Sequence, residues 1–392
     1  MSRPLLVIFL TIFVNLVGFG IIIPLLPFYA RTFGASPILT GLLFASFSLA
    51  QLIASPLLGD LSDRWGRRPV LILSLIGTAV SFAMLAIAQS LVMLFAARIV
   101  DGLSGGNITT ARAYIADVTT EENRARGYGM LGAAFGLGFI VGPALGAAFS
   151  QISYTAPIWA AAVITLAATV LAWLWLPETV HRAHAGNGAP WRALGHLGNR
   201  PGLRRLLGID FVYWMSFAVY QTTFALFGAR RFGFDATHTG YLLSAFGALG
   251  VVVQAGLVAP IVRVIGTRRT LVIGLILTAI GWGGSAMTHS VPLFIALLVP
   301  GAAGIGLCNA TLIALVSNAA ERHEQGRVQG AAGALESLGR TLGPIWGNAL
   351  LQKVGEGAAY GTAAALLLGA AAFAGKVTAP SPVKGDSPEL RV

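Results

Sequence analysis

Twelve apolar runs, each about as long as an α-helix needs to be to cross a bilayer, divide this 392-residue chain almost from end to end. They fall at 5–30, 38–58, 70–88, 91–115, 127–149, 156–176, 206–228, 237–262, 270–288, 291–316, 327–350 and 356–376. A backbone surrounded by hydrocarbon finds no water to bond, so it must satisfy its N–H and C=O groups internally, and a single apolar run does so only as a helix. Composition agrees: 56% of residues are hydrophobic and 10% charged, against about 25% charged in a soluble domain. The expected fold is an all-α integral membrane protein of twelve transmembrane helices in two six-helix halves.

Charge sets the expected orientation. With Met1 on the cytoplasmic side, the loops and tails of that side (Arg112 included) hold 20 of the 26 Lys and Arg residues; the outer loops hold Arg31, Arg230, Arg231 and Lys353, and Arg98 and Arg340 lie inside apolar runs. Basic residues accumulate on cytoplasmic loops, so both termini are expected in the cytoplasm of a multi-pass protein of the plasma (inner) membrane. The net charge of +11 is spread over short helix-end loops, which argues against nucleic-acid binding. The longest loop, 177–205, separates an N-terminal half (1–176) from a C-terminal half (206–376), and residues 377–392, with Pro380, Pro382 and Pro388, read as a flexible cytoplasmic tail. The first thirty residues lack a small-residue cleavage site and contain Pro24 and Pro27, so they are expected to be a retained first helix.

Enzyme chemistry finds no foothold. Cys308 is the single cysteine and sits in an apolar run, the histidines lack metal-ligand spacing, and the glycine-rich strings have no strand, lysine or serine of a phosphate loop. No metal and no organic cofactor are expected.

The two halves resemble one another. GDLSDRWGRRPVL at 59–71 lies over APIVRVIGTRRTL at 259–271, pairing Gly66 with Gly266 and Arg68 with Arg268, and GLGFIVGP at 136–143 lies over SLGRTLGP at 337–344. A parallel duplication of this kind places a transporter's substrate site near the midplane, between halves that rock about it. The first of these strings is itself informative. In GDLSDRWGRR, Gly59 allows close helix approach, Asp63 and Arg64 can pair or cap, and Gly66, Arg67 and Arg68 turn the chain. The string resembles, at every fixed position, the loop between helices 2 and 3 of the major facilitator superfamily of secondary transporters.

That resemblance implies further roles. In the fourth run, RIVDGLSGG puts Arg98 and Asp101 one turn apart in the apolar layer, where ionisable groups usually face a cavity; the family reading gives Arg98 a part in proton transfer or its electrostatic control. In the fifth run, Gly138, Gly142, Pro143 and Gly146 resemble the antiporter motif GxxxGPxxGG, with Ala147 replacing its last glycine. Simple close packing explains those residues equally well; the resemblance tilts direction toward export. The segment AYIADVTTEENRARGYG at 113–129 is similar to the tetracycline/proton antiporters and their relatives in the twelve-helix drug-exporter branch. There an acid at the end of helix 4 pairs with an arginine of the first loop motif and locks the cytoplasmic side in the outward-facing state; the matching residues are Asp117 and Arg67, with Asp63 alongside.

One departure bears on coupling. Asn15, in NLVGFGIIIPLLP, stands where the tetracycline exporters have an aspartate, and an amide cannot titrate. Among the acids only Asp101, Asp210 and Glu336 fall clearly inside apolar runs, Glu356 standing at the very start of the last; Glu336 and Arg340, four apart, share a helix face. Asp101 and Glu336 are the coupling candidates, while Asp210, a turn into the seventh run, is expected to be an interfacial cap. The substrate surface is assigned to Tyr213, Trp214, Tyr220, Gln221 and Phe224 of the seventh run, with Asn15, Gln51, Asn107, Gln254 and Asn309. Rings mixed with amides and hydroxyls suit a planar amphipathic molecule, although an interfacial aromatic belt and interhelical hydrogen bonds would account for the same residues. The expected function is proton-coupled export of amphipathic organic compounds by a monomer, with the proton gradient as energy source. The alternative is a sugar or small-metabolite transporter of the same fold.

Overall fold

A computed structural model describes residues 3–105, 107–179, 201–319 and 325–375. Fourteen α-helices build it: α1 (Arg3–Thr32), α2 (Pro37–Trp65), α3 (Arg67–Ala86), α4 (Leu91–Ser104), α5 (Asn107–Val118), α6 (Glu121–Ser150), α7 (Ala156–Trp175), α8 (Pro201–Phe232), α9 (Ala236–Val252), α10 (Val258–Ile265), α11 (Thr267–Met287), α12 (Val291–Asn318), α13 (Gln325–Lys353) and α14 (Glu356–Gly375). Twelve crossings result, because α4 with α5 and α9 with α10 each form one broken span; a π-helical turn, Val253–Leu257, joins the second pair. Among the described residues nine helices are long and apolar enough to cross a membrane by themselves. The other three crossings, α4–α5, α8 and α13, carry Arg98, Asp101, Asp210, Glu336 and Arg340.

Short-range chemistry marks the helix starts. Ser36 and Ser90 cap α2 and α4 by accepting from the Leu39 and Met93 amides, each at 3.3 Å, and the Asp235 carboxylate accepts from the His238 amide at 2.8 Å at the start of α9. Pro37 occupies the first turn of α2, where its missing N–H costs nothing.

The duplication is visible in backbone geometry. Gly66, between α2 and α3, has φ 106° and ψ 152°; Gly266, between α10 and α11, has φ 84° and ψ 155°. Both lie at positive φ, which favours glycine, so the same tight turn is built twice. Packing repeats as well: α6 lies along α1 in the first half and α13 along α8 in the second. A Cβ on Gly142 would sit 2.6 Å from the Val17 carbonyl oxygen, and one on its repeat partner Gly343 would sit 2.5 Å from that of Met215. Both glycines therefore exist to let two backbones touch.

The halves meet through α6 against α9 and, at the equivalent place, α2 against α13. Hydrogen bonds fasten this seam at the α1–α2 end of the molecule and part of the way down α6. The Ile38 amide donates to Gln352 Oε1 at 3.0 Å, the Ser244 hydroxyl to the Ile140 carbonyl at 2.7 Å, and the Ser150 and Thr237 hydroxyls lie 3.3 Å apart. Toward the opposite end, which carries the Gly66 and Gly266 turns, α5 and α10 pack on helices of their own half. The molecule is clasped at one end, and its central cavity lies beyond the clasp.

Candidate functional site

A small open cavity lies at mid-depth where the first half faces Arg340 of the second. Phe19, Phe47, Phe82, Phe135 and Phe139 wall it, Asn15 and Gln51 present amides to it, and Asp101 and Arg340 bring charge. Phe139 and Arg340 hold equivalent positions in the repeat, so the duplication contributes an aromatic ring from one half and a guanidinium from the other. Gln51 also donates to the Gly105 carbonyl at 2.9 Å, tying α2 to the end of α4 where the fourth span breaks.

Arg98 and Asp101 form the buried pair that their spacing predicts. Arg98 Nη1 donates to Asp101 Oδ2 at 2.7 Å, and Arg98 is only 1% exposed. The guanidinium lies 4.2 Å from the centroid of the Phe47 ring, a cation–π contact, while its Nε and Nη2 have no hydrogen-bond partner. The Thr78 and Ser81 side chains of α3 face the Asp101 carboxylate. A carboxylate at the cavity wall that neutralises a buried cation can exchange a proton only by changing the energy of the whole bundle.

On the other half, Arg340 Nη1 stands 3.7 Å from Glu336 Oε1, an ion pair without a hydrogen bond, and the guanidinium lies 4.9 Å from the Trp214 ring centroid. Asp210 differs from its expected place. Because α8 begins at Pro201, Asp210 lies more than two turns inside the helix and is 6% exposed; it caps nothing.

The seventh-run aromatics are also elsewhere. Tyr213, Tyr220 and Phe224 are buried in the core of the second half, where Tyr220 stacks on Trp282 at 4.8 Å and Phe224 packs against Phe294 at 5.8 Å. Trp214 reaches the cavity only through Arg340, Gln221 and Asn309 are half-buried, and Gln254 is exposed on the π-helical turn; none of these lines the cavity. The Asn107 side chain, residues 180–200 of the central loop and the tail from 376 lie outside the described residues.

The GDLSDRWGRR turn builds a separate charged cluster. Arg67 pairs with Asp63, its Nε donates to Asp117 Oδ2 at 3.1 Å, and its Nη1 donates to the Ser62 hydroxyl at 2.6 Å. Arg64 turns outward to Asp60 at 2.9 Å rather than pairing with Asp63, and open space surrounds Gly59, which therefore brings no helices together. Arg68 donates to the Trp173 carbonyl. Glu178, just past α7, receives the Arg67 and Arg68 amides at 3.0 and 3.3 Å and so caps α3, whose preceding residue Gly66 has no side chain for the purpose. Glu178 escaped the sequence reading; an acid immediately after the sixth apolar run, in LPET, was its signal. Asp63, Arg67 and Asp117 all belong to the first half and Glu178 follows directly on its last helix, so the Asp117–Arg67 pair braces that half and is not itself a clasp between the two.

Comparison with known proteins agrees with this architecture. The family model described as Major Facilitator Superfamily matches residues 8–264 and 255–391. The tetracycline resistance protein, class G, of Vibrio anguillarum is 34% identical over 359 residues, 89% of this chain and 91% of its own, and the class B protein of Escherichia coli is 31% identical over 84% and 83%. Among solved structures, a bacterial homologue of the human lysosomal transporter Spinster superposes with a TM-score of 0.81 at 16% identity, covering 97% of this chain and 100% of that one; the human organic anion transporter MFSD10 gives 0.74 at 24%, covering 95% and 99%. With its duplicated six-helix halves, its paired glycine turns and its cavity at the seam, the chain belongs to the major facilitator superfamily of membrane transporters.

Proposed function

We propose that this protein exports planar, amphipathic organic compounds, tetracycline-like molecules among them, in exchange for protons. The observation that carries the reading is the mid-depth cavity: five phenyl rings and two amides form a surface for a flat, partly polar ligand, with the Asp101–Arg98 pair in its wall. The tetracycline resistance proteins among its relatives support the substrate class. With both termini in the cytoplasm, as the basic-residue bias directs, the clasp at the α1–α2 end closes the outside, and substrate enters from the cytoplasm or inner leaflet. Rocking of the halves then opens the clasp and closes the other end. Protonation of Asp101 would weaken its bond to Arg98 and bias that equilibrium; the proton gradient supplies the energy, and a monomer in the plasma membrane suffices. The Asn15 amide at the cavity wall favours a second reading, in which a neutral hydroxylated metabolite hydrogen-bonds there.

Proteoliposomes with an imposed pH gradient separate the two. Drug or dye movement with proton counterflow is the expected result; sugar movement without counterflow establishes the second reading and removes the first.

A further inference from the structure

Charge is unevenly committed around the cavity. Asp101 in its wall is bonded to Arg98 at 2.7 Å, so that pair sums to no net charge and offers a ligand neither ion. Arg340 is the only basic residue in the wall among the described residues, and its charge is not committed in the same way. Its side chain is 22% exposed, so a ligand can reach it, and its ion-pair partner Glu336 stands at 3.7 Å, beyond hydrogen-bonding distance. None of the five N–H groups of this guanidinium makes a hydrogen bond among the described residues. Glu336 itself does not line the cavity. The guanidinium is nevertheless held in place. It lies 4.9 Å from the Trp214 ring centroid, and Trp214 is braced edge-on by Tyr213 at 5.5 Å and Phe217 at 5.7 Å. Arg340 also stands between Gly339 and Gly343, where α13 touches α8: a Cβ on Gly339 would meet the Met215 amide nitrogen at 2.9 Å, and one on Gly343 the Met215 carbonyl oxygen at 2.5 Å. A fixed backbone and an aromatic platform leave this side chain less freedom to lose on binding.

A planar fork of donors that is positioned but not hydrogen-bonded matches two oxygens sharing one negative charge in a plane. We infer that Arg340 recognises an anionic group on the substrate, and that the class of compound this cavity selects is a flat aromatic anion, a carboxylate or an enolate. The rings of Phe19, Phe47, Phe82, Phe135 and Phe139 all come from the first half and take the flat body, while the guanidinium of the second half takes the ionised oxygens, so the ligand bridges the two halves that must rock about it. Glu336 gives up its hold readily, because an ion pair at 3.7 Å between partly exposed side chains is weak. A cation of the same shape meets the Arg340 charge with no free carboxylate in the wall to offset it, since Asp101 is already bonded to Arg98. This inference rests on the reading of the cavity as an exporter's substrate site and names what that site selects.

The experiment uses full-length protein in nanodiscs of zwitterionic lipid and three fluorescent anthracenes substituted at the same ring carbon: the carboxylate, the neutral carboxamide and the aminomethyl cation. Fluorescence titration at neutral pH, with empty nanodiscs subtracted, gives a Kd for each. The carboxylate should bind about tenfold tighter than the carboxamide or better, the size expected of hydrogen bonds to a charged group, and the cation should bind weakest. Arg340→Gln should raise the Kd of the carboxylate to that of the carboxamide and leave the latter unchanged; Arg340→Lys should keep part of the preference, and Glu336→Gln, which removes the competing carboxylate, should tighten carboxylate binding. Unchanged carboxamide binding shows that Arg340→Gln is folded, and Glu336→Gln keeps Arg340 and reports even if it is not. Phe139→Ala should weaken all three probes alike. Equal affinity for the three probes, or a preference that survives Arg340→Gln, overturns the assignment while loss of binding in Phe139→Ala still upholds the cavity as the binding site. A preference that depends on Arg340, with no proton-driven transport by wild-type vesicles, retains the assignment and refutes the antiport reading; failure of all three probes to bind overturns both.

Discussion

Replacing Asp101 by alanine isolates the energy held in the buried ion pair. In the native protein Arg98 makes one hydrogen bond, 2.7 Å to Asp101, and leans on Phe47 at 4.2 Å; two of its three nitrogens already lack partners. Without the carboxylate, a full positive charge at 1% exposure has only the ring face to stabilise it. Breaking a buried pair from one side costs about 3–5 kcal/mol, whereas replacing both members with apolar groups of similar size is neutral or stabilising by about 1–4 kcal/mol. Asp101→Ala should therefore lower the thermal unfolding midpoint steeply, Arg98→Met less so, and Arg98→Met with Asp101→Leu should return it to the wild-type value or above. Tryptophan fluorescence in detergent, run as a double-mutant cycle, measures the coupling. All three variants should fail in proton-driven transport, so stability and function part company only in the double variant. Additive stability losses, with no recovery in the double variant, would refute the claim that the charge pair, rather than ordinary packing, governs this part of α4.

Gly142→Val places a side chain where a bare Cβ already lies 2.6 Å from the Val17 carbonyl oxygen, and should separate α6 from α1 at a cost of at least about 1–3 kcal/mol; thermal unfolding and folded yield check it, and a wild-type midpoint would contradict the close approach. Glu178→Gln retains an acceptor for one of the two α3 amides but loses the second oxygen and the charge favoured at a helix N-terminus, so it should cost at least about 0.3–1 kcal/mol where Glu178→Ala costs about 0.5–2 kcal/mol; equal midpoints for the two variants would count against capping. Asp235 offers a pH test at the start of α9. Burial resists its ionisation, but the His238 amide and ring outweigh this and hold the carboxyl below its usual range. A lowered folded-state pKa gives stability that is present at neutral pH and lost as pH falls through that pKa. The midpoint gap between wild type and Asp235→Ala should then be largest near neutrality and close in acid; a gap that widens in acid reverses the sign and refutes the cap.

How much of the site could be read in advance depends on whether a residue's neighbours are set by its own helix. Arg98 with Asp101, Glu336 with Arg340 and Gly66 with Gly266 were legible because spacing within one helix, or equivalence between repeats, fixes the partner. Tyr220 and Phe19 were not. A span that is hydrophobic all round has no polar stripe to say which face meets lipid, core or cavity, so the conspicuous rings of α8 drew attention while five unremarked phenylalanines, none of them from α8, formed the wall. Asp210 was misread for a different reason: five residues of error at the start of α8 separate a surface cap from a buried carboxylate. In a transporter such errors fall where they matter most, because the helices that carry polar groups into the membrane depart furthest from simple hydropathy. Here α4–α5, α8 and α13 are the three crossings that fail a plain test of length and apolarity, and they hold Arg98, Asp101, Asp210, Glu336 and Arg340. Weakness in the membrane signal is thus itself a pointer to the working charges, since a helix can be less apolar only where its neighbours neutralise what it brings in.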